Sequence, residues 1–372
     1  MKRYLLLLVW CFGICSLRAQ TPDDIHADSL VRLVQQAPND SVKIERLLDL
    51  SFFWSDRDTT RAYQYIAEAV DVIGDTPTDY YQGLIHLANA NVIYDHDIER
   101  AKASYMLADR FLAGSEFPRA YYHRSRAWNN YGTLLQRQDS STRFMDVIIE
   151  HSLPNARLSG DSLVVGDALN NIGVLLSNIQ DFEKAEAYFK QALQAYSEPS
   201  LRDDRFSVFA TAANNAILGD SMTRARVYLD SAAAVFPTVP HSLHASYYYR
   251  TEGLYFRHMG QTQRALAMFE KGLDQARALH DEDTQADINF EIYNMYRHLG
   301  DYENARKYLL ITGQYPLMSD ANRLVYLREL AQTEFNLGNF REAYQQMQQY
   351  ALGKDTFQEN NMALKILDLE KK

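Results

Sequence analysis

Apolar residues recur along this chain at the three-and-four spacing of amphipathic helices, and the helical stretches come in pairs. The stretch from Asn171 to Leu193, NIGVLLSNIQDFEKAEAYFKQAL, has a helical pattern on both sides of Gln180-Asp181, yet it carries Gly173 inside its first half. A glycine in a helix interior costs roughly 1 kcal/mol relative to alanine, so a packing contact must compensate for it. The small Ala185 follows twelve positions later, with Phe189 four and Ala192 seven positions beyond that.

The same register returns along the chain. Ala265 is preceded by Gly253 and followed by Phe269 and Gly272; Ala62, Ala101, Ala225, Ala305 and Ala343 anchor further units. One unit is irregular: Trp128 and Gly132 open it, but Phe144 takes the small position. The anchors stand 38 to 43 residues apart. Each unit reads as two antiparallel helices, A and B. The turns fall at Asn178–Asp181, Gly219–Ser221, Gly260–Thr262, Gly300–Tyr302 and Gly338–Phe340. Glycine supplies the left-handed helix end there, and Asp or Asn starts the next helix. Gly173 and Ala185 are expected to face each other so that the two backbones approach closely, with Phe189 and Leu176 filling the space around them.

These positions resemble the tetratricopeptide repeat. Its small residues match Gly132, Gly173, Ala185, Ala192 and Gly253, its aromatic opener Trp128, and its large residue Phe189 and Phe269. The resemblance implies an all-α fold, an α-α superhelix of about eight helix-turn-helix units with the A helices lining the concave side. The usual repeat is about 34 residues, so these units carry longer helices or loops. The closing proline is mostly missing, although Pro199 and Pro237 stand near its place.

The ends read differently from the array. Lys2 and Arg3, an apolar run from Leu5 to Ile14, and Leu17-Arg18-Ala19 have the layout of a secretory signal peptide over residues 1–19, cleaved after Ala19. Residues 20–40, with Ile25, Leu30, Leu33 and Val34 at helical spacing, read as an N-terminal capping helix ahead of the array at 41–355. Residues 356–372 read as a charged C-terminal helix, with Met362, Ile366 and Leu369 on one stripe. In many Gram-negative sensor proteins a periplasmic tetratricopeptide ectodomain runs into such a helix before an output domain. The resemblance therefore implies a sensory or partner-binding ectodomain, and the C-terminal helix is a candidate homodimer contact.

Composition narrows the chemistry. Of 372 residues, 47% are apolar, with 16 Gly and 9 Pro, which suits a helix-rich folded chain. Both cysteines, Cys11 and Cys15, lie in the signal segment, so the mature chain has no thiol for a nucleophile, metal site or disulfide. Loss of Lys2, Arg3 and Arg18 takes the formal charge from −10 to −13. Such a chain repels phosphate backbones, which argues against a nucleic-acid partner. No second apolar run is long enough to span a membrane.

Arrays resembling this one bind a protein or peptide along the groove. In the family register the groove receives Asn129, Arg137, Asn170, Asn178, Asn214, Arg250, Arg257, His258, Asn294, Arg297, His298 and Arg328. Amides of this kind hydrogen-bond an extended peptide, and the cations pair with its carboxylates. Arg and His at helix C-termini also simply favour the helix dipole. The pairs Tyr80-Tyr81 and Tyr121-Tyr122 and the triplet Tyr247-Tyr248-Tyr249 read chiefly as packing between units. His241 and His244 lack a glutamate at general-base spacing, and no phosphate-binding loop or nucleophile elbow is present, so no catalytic residue, metal or cofactor is expected. The chain thus reads as an exported peptide- or protein-binding module of a signalling system and not as an enzyme. The alternative is a periplasmic assembly scaffold or dimerising module without a groove ligand.

Overall fold

Asn39, Asp58, Asp97, Asp161, Asp181, Asp281 and Asp301 each accept a hydrogen bond from a backbone N–H in the first turn of the helix they precede. These caps satisfy donors that a helix start otherwise leaves orphaned. They divide the chain into its units. The computed structural model describes residues 22–75, 78–138, 141–315 and 320–370. The expected signal peptide lies outside the described residues.

Helix α1 (Pro22–Gln35) precedes a series of A/B pairs. These are α2 (Asp40–Trp54) with α3 (Thr59–Ile73), and α4 (Asp79–Ile93) with α5 (Ile98–Ala113). Next come α6 (Ala120–Arg137) with α7 (Ser141–Val147) and α8 (Leu153–Ser159), then α9 (Ser162–Asn178) with α10 (Phe182–Ala195). The series continues with α11 (Arg202–Leu218) and α12 (Met222–Val235), and α13 (Ala245–His258) and α14 (Thr262–Ala278). It ends with α15 (Glu282–His298) and α16 (Tyr302–Thr312), and α17 (Asp320–Asn336) and α18 (Phe340–Glu370). The described residues contain no strand.

Each B helix packs against its own A helix and against the next one. The A helices from α2 to α15 also touch each other in succession, whereas no two B helices make a comparable contact among the described residues. Tight A–A spacing with splayed B helices curves the array, so the A helices line its inner face. One apolar cluster runs unbroken from Phe144 to Tyr248 across several units, as expected where no unit can bury its own face.

The contact behind Gly173 differs from the expected one. A Cβ on Gly173 would lie 2.6 Å from Cε1 of Phe189, and one on Gly253 would lie 2.5 Å from Cε1 of Phe269. The glycine therefore admits a ring from helix B, and Ala185 is not its nearest neighbour. The irregular unit obeys the same rule with a shorter spacing: a Cβ on Gly132 would lie 2.1 Å from Cδ2 of Phe144. Phe144 is thus the ring of its unit, twelve residues after the glycine where Phe189 and Phe269 stand sixteen after theirs. Further along that B helix, Leu153 N–H bonds to the Ile148 carbonyl in a π turn spanning Ile148–Ser152. Pro154, which has no N–H to continue the α ladder, follows immediately.

The turns also correct one expectation. From α9 onward each A-to-B turn closes with a backbone bond from the B-helix cap to a carbonyl five residues back, as from Asp181 to Leu176 and from Ser221 to Ala216, whereas the turns before α3 and α5 close four back, on Trp54 and Ile93. The left-handed residue is the one just before the cap. That is Gly260, Gly300 and Gly338, but it is Gln180 and Asp220 in the turns before α10 and α12; His280 takes the same conformation in the B-to-A turn before α15. Gly219 sits one position too early, with φ −84°, and instead makes room for Phe182, whose Cβ would be 3.2 Å from an added Cβ.

The two halves of the array meet across the groove. Leu243, in the loop before α13, lines the same cavity as Phe52 and Tyr94 at the ends of α2 and α4. Asp283, at the start of α15, lies within electrostatic reach of Arg137 and Asp95 at the ends of α6 and α4. At the far end, α18 runs without interruption through Gly353 and Asp355, where the sequence suggested a new helix. It has 31 residues against 17 in α17, so it overhangs its partner by roughly 20 Å at 1.5 Å per residue.

Candidate functional site

The inner face is built from charges and amides that mostly find partners on the neighbouring A helix. Near the N-terminal end, Glu45 of α2 accepts a 2.7 Å hydrogen bond from the Tyr80 hydroxyl and lies 2.5 Å from Arg119 Nε. Burial alone would raise its pKa; Tyr80, Arg119 and the nearby His123 outweigh that and hold it at about 2. His123 is itself buried, which pushes its imidazole towards the neutral form. Its Nε2 is 3.9 Å from Glu45, beyond hydrogen-bond reach, and has no other partner. Tyr80 and Tyr248 are buried members of the expected tyrosine clusters, so those rings pack between units.

The middle of the face holds Arg126, 3.6 Å from Asp49 and 5.2 Å above the Phe52 ring. Asp167 faces it from α9, hydrogen-bonded by the Tyr196 hydroxyl at 2.5 Å. Burial, with Asp204 nearby, pushes the Asp167 carboxyl up to about 6.

Towards the C-terminal end, Arg250 Nη2 lies 3.5 Å from Glu291, and Arg257 pairs with the same carboxylate. One unit on, Arg297 lies 3.2 Å and Arg328 2.9 Å from Glu329. Arg137 pairs with Asp95 at 2.6 Å and stands over the Tyr94 ring. Each of these guanidinium groups therefore has a carboxylate of its own chain.

The amides divide into two kinds. Asn129 Oδ1 accepts from Asn171 Nδ2 at 2.6 Å. Asn170 Oδ1 and Asn214 Oδ1 are buried acceptors with no hydrogen bond. Asn178 is exposed at the end of α9, and His258 and His298 are exposed at the ends of α13 and α15. The structure brings Arg257, His258, Asn294, Arg297 and His298 together around an open cleft of about 570 Å³, with Thr262 and Met295. Asn129 and Arg137 belong to the other half of the groove. Among the described residues no group of three or more His, Cys, Asp or Glu side chains is placed to hold a metal ion, and no helix is long and apolar enough to cross a membrane.

Comparison with known proteins agrees with this architecture. Residues 166–199 match the family described as tetratricopeptide repeat, and residues 210–358 match the SusR N-terminal TPR domain. This chain is a tetratricopeptide-repeat protein. No curated protein is matched. Among solved structures, a Rap protein complexed with competence and sporulation factor is similar at 12% identity and TM-score 0.60, covering 91% of this chain and 98% of that one. The apo form of the quorum sensor NprR from B. thuringiensis is similar at 12% identity and TM-score 0.57, covering 88% and 92%. Aspartyl phosphate phosphatase F from Bacillus subtilis is similar at 12% identity and TM-score 0.58, covering 78% and 74%. At that identity the shared feature is the fold.

Several inner-face residues of this tetratricopeptide-repeat protein escaped the sequence reading. Glu291, Glu329 and Asp95 are the partners of the predicted arginines. Asn91 and Asn130 form a second amide pair, with Asn130 Nδ2 donating to Asn91 Oδ1 at 3.0 Å. Their signal was present: Asn91, Asn130 and Asn171 recur 39 and 41 residues apart, close to the repeat period.

Proposed function

We propose that this protein is an exported binding module whose concave face receives an extended peptide or protein segment, serving a sensory or regulatory system. The observation that carries this reading is the pair Asn170 and Asn214, whose Oδ1 atoms are buried on successive A helices without a hydrogen bond. An unmet buried acceptor costs on the order of 1–3 kcal/mol, which favours turning each amide about its last torsion so that its oxygen faces the groove, where the N–H groups of an extended backbone would satisfy it. The similar fold of the quorum sensor NprR supports a sensory role, and the similar Rap protein was solved with a bound factor. The signal-like N-terminus supports export and a periplasmic site of action. On this reading the protein catalyses nothing and needs no metal or cofactor.

The test is panning of a displayed peptide library against the chain and against the triple variant Asn170→Ala, Asn214→Ala, Arg250→Ala. Enrichment should occur on the parent and vanish on the variant; equal enrichment on both, or none on either, overturns the groove reading. Appearance of the chain in a periplasmic fraction, at the mass expected for cleavage after Ala19, tests export.

One observation favours the scaffold alternative. The last unit exposes Phe335, Phe340, Tyr344 and Leu352 beside the overhanging α18. A dimer formed there would be lost when α18 is truncated before Leu352, with sedimentation as the readout.

A further inference from the structure

The ends of α2, α4 and α6 surround a cavity of about 540 Å³ that none of the sequence-predicted groove residues lines. Its walls are largely apolar. Phe52 and Tyr94 stand on one side, and Leu243 arrives from the loop before α13, in the opposite half of the array. Phe52 is 44% exposed although it faces the inner surface. Leaving a phenyl ring wet forfeits burial worth roughly 1.5–3 kcal/mol.

The polar wall is specific. Asn91 Oδ1 accepts from the Tyr105 hydroxyl at 2.7 Å and from Asn130 Nδ2 at 3.0 Å. No hydrogen bond among the described residues engages Asn91 Nδ2 or Asn130 Oδ1. The pair thus keeps the N–H donors of Asn91 Nδ2 and the acceptor oxygen of Asn130 free for a guest. Flipping both amides exchanges the roles but leaves the same complement.

The charges are already balanced. Asp49 lies 3.6 Å from Arg126, Asp56 2.6 Å from Arg57, and Asp95 2.6 Å from Arg137. A cationic side chain would find no free carboxylate there, and an anionic one would meet three carboxylates. A neutral group fits, attached to something that offers one C=O and one N–H.

We propose that this cavity is the anchor pocket for one large apolar side chain, aromatic by preference, of a peptide lying in the groove. Asn91 and Asn130 hydrogen-bond the adjoining peptide unit, and Leu243 closes over the ring. The proposal rests on the peptide-binding reading and adds to it the class of residue that is recognised. Because Phe52 and Leu243 belong to opposite halves of the array, an occupied pocket ties those halves together.

The probe is N-acetyl-L-tryptophanamide, which carries an aromatic ring and two capped peptide units, titrated into the full chain with ligand-observed NMR. N-acetyl-glycinamide, N-acetyl-lysinamide and N-acetyl-glutamate amide are the comparators. The aromatic probe alone should bind saturably. Phe52→Ala and Leu243→Asp should each weaken it at least about tenfold, the scale of losing a buried aromatic contact, with helical circular dichroism unchanged. Phe52 is exposed and Leu243 is in a loop, so neither change removes core packing; should one variant fail to fold, the other still decides. Equal affinity in a folded variant, preference for the lysine or glutamate probe, or no saturable binding overturns the pocket. If library peptides bind in a manner sensitive to the Asn170/Asn214/Arg250 triple variant while the aromatic probe does not bind, the pocket falls and the groove stands. If the probe binds and the library fails, the pocket stands and the groove falls.

Discussion

Gly173 lies against the face that Phe189 presents from the opposite helix, where a single added carbon would come within 2.6, 2.8 and 3.0 Å of three ring atoms. Phe189 is fully buried, so the ring cannot swing into solvent. Gly173→Ala should gain roughly 1 kcal/mol of helix propensity yet lose more to overpacking, typically 1–3 kcal/mol. The urea midpoint should fall for Gly173→Ala and recover in the double variant with Phe189→Leu. A raised midpoint in the single variant would show that the ring moves freely.

The turns give a cleaner stabilising change. Gln180 has φ 66° and His280 has φ 53°, both left-handed, where a side chain costs roughly 1–2 kcal/mol. Gln180→Gly and His280→Gly should each raise the thermal midpoint, reduced somewhat by the extra freedom glycine has when unfolded. Gly260→Gln, the reverse change at φ 68°, should lower it.

Two buried carboxyls predict opposite pH behaviour. Burial raises the Asp167 pKa from 3.8 to about 6. Its folded form therefore holds the proton more tightly than the unfolded chain, and stability is lost as pH rises through that window. Asp167→Asn should stabilise by about 1–3 kcal/mol above the window and by little below it. Glu45 goes the other way, held at about 2 against an ordinary 4.5. Its contribution is present above 4.5 and is lost as pH falls towards 2. Glu45→Gln should thus be costly at neutral pH, with the deficit shrinking in acid. Denaturant titrations at several pH values read both signs.

Glu291 serves Arg250 and Arg257 together. Glu291→Ala should destabilise more than either arginine change, because it leaves Arg257 without its carboxylate and Arg250 with only Asp287, 3.8 Å away. A double-mutant cycle between Glu291→Ala and Arg257→Ala should return a coupling of about 0.5–3 kcal/mol; additivity would mean that the pair contributes nothing.

Much of the fold was legible because its determinants are local. Small residues, turn residues and Asp caps lie within one unit, and their period of about forty residues made each unit confirm the others. Gly173 was correctly singled out but paired with Ala185, since sequence spacing locates two facing helices without giving the direction in which Phe189 leans. Phe144 looked irregular because its ring stands one turn earlier on its B helix, three residues past Ser141 where Phe189 stands seven past Phe182, and only the ring contact restores the register. The site was less legible. Arg257 and Arg297 read as free groove cations because Glu291 and Glu329 stand 34 and 32 residues further on, in the next A helix. That pairing depends on A–A contact, which no single unit encodes. The Phe52–Leu243 cavity was beyond reach, because it exists only where separate halves of the superhelix converge.

The paired arginines set a rule of competition for any guest. A carboxylate arriving at Arg257 or Arg297 must displace one that is already seated, so it trades like for like and gains little. Selectivity then passes to neutral contacts, the unmet amide oxygens and the aromatic surfaces, and acidic molecules that merely carry charge are turned away.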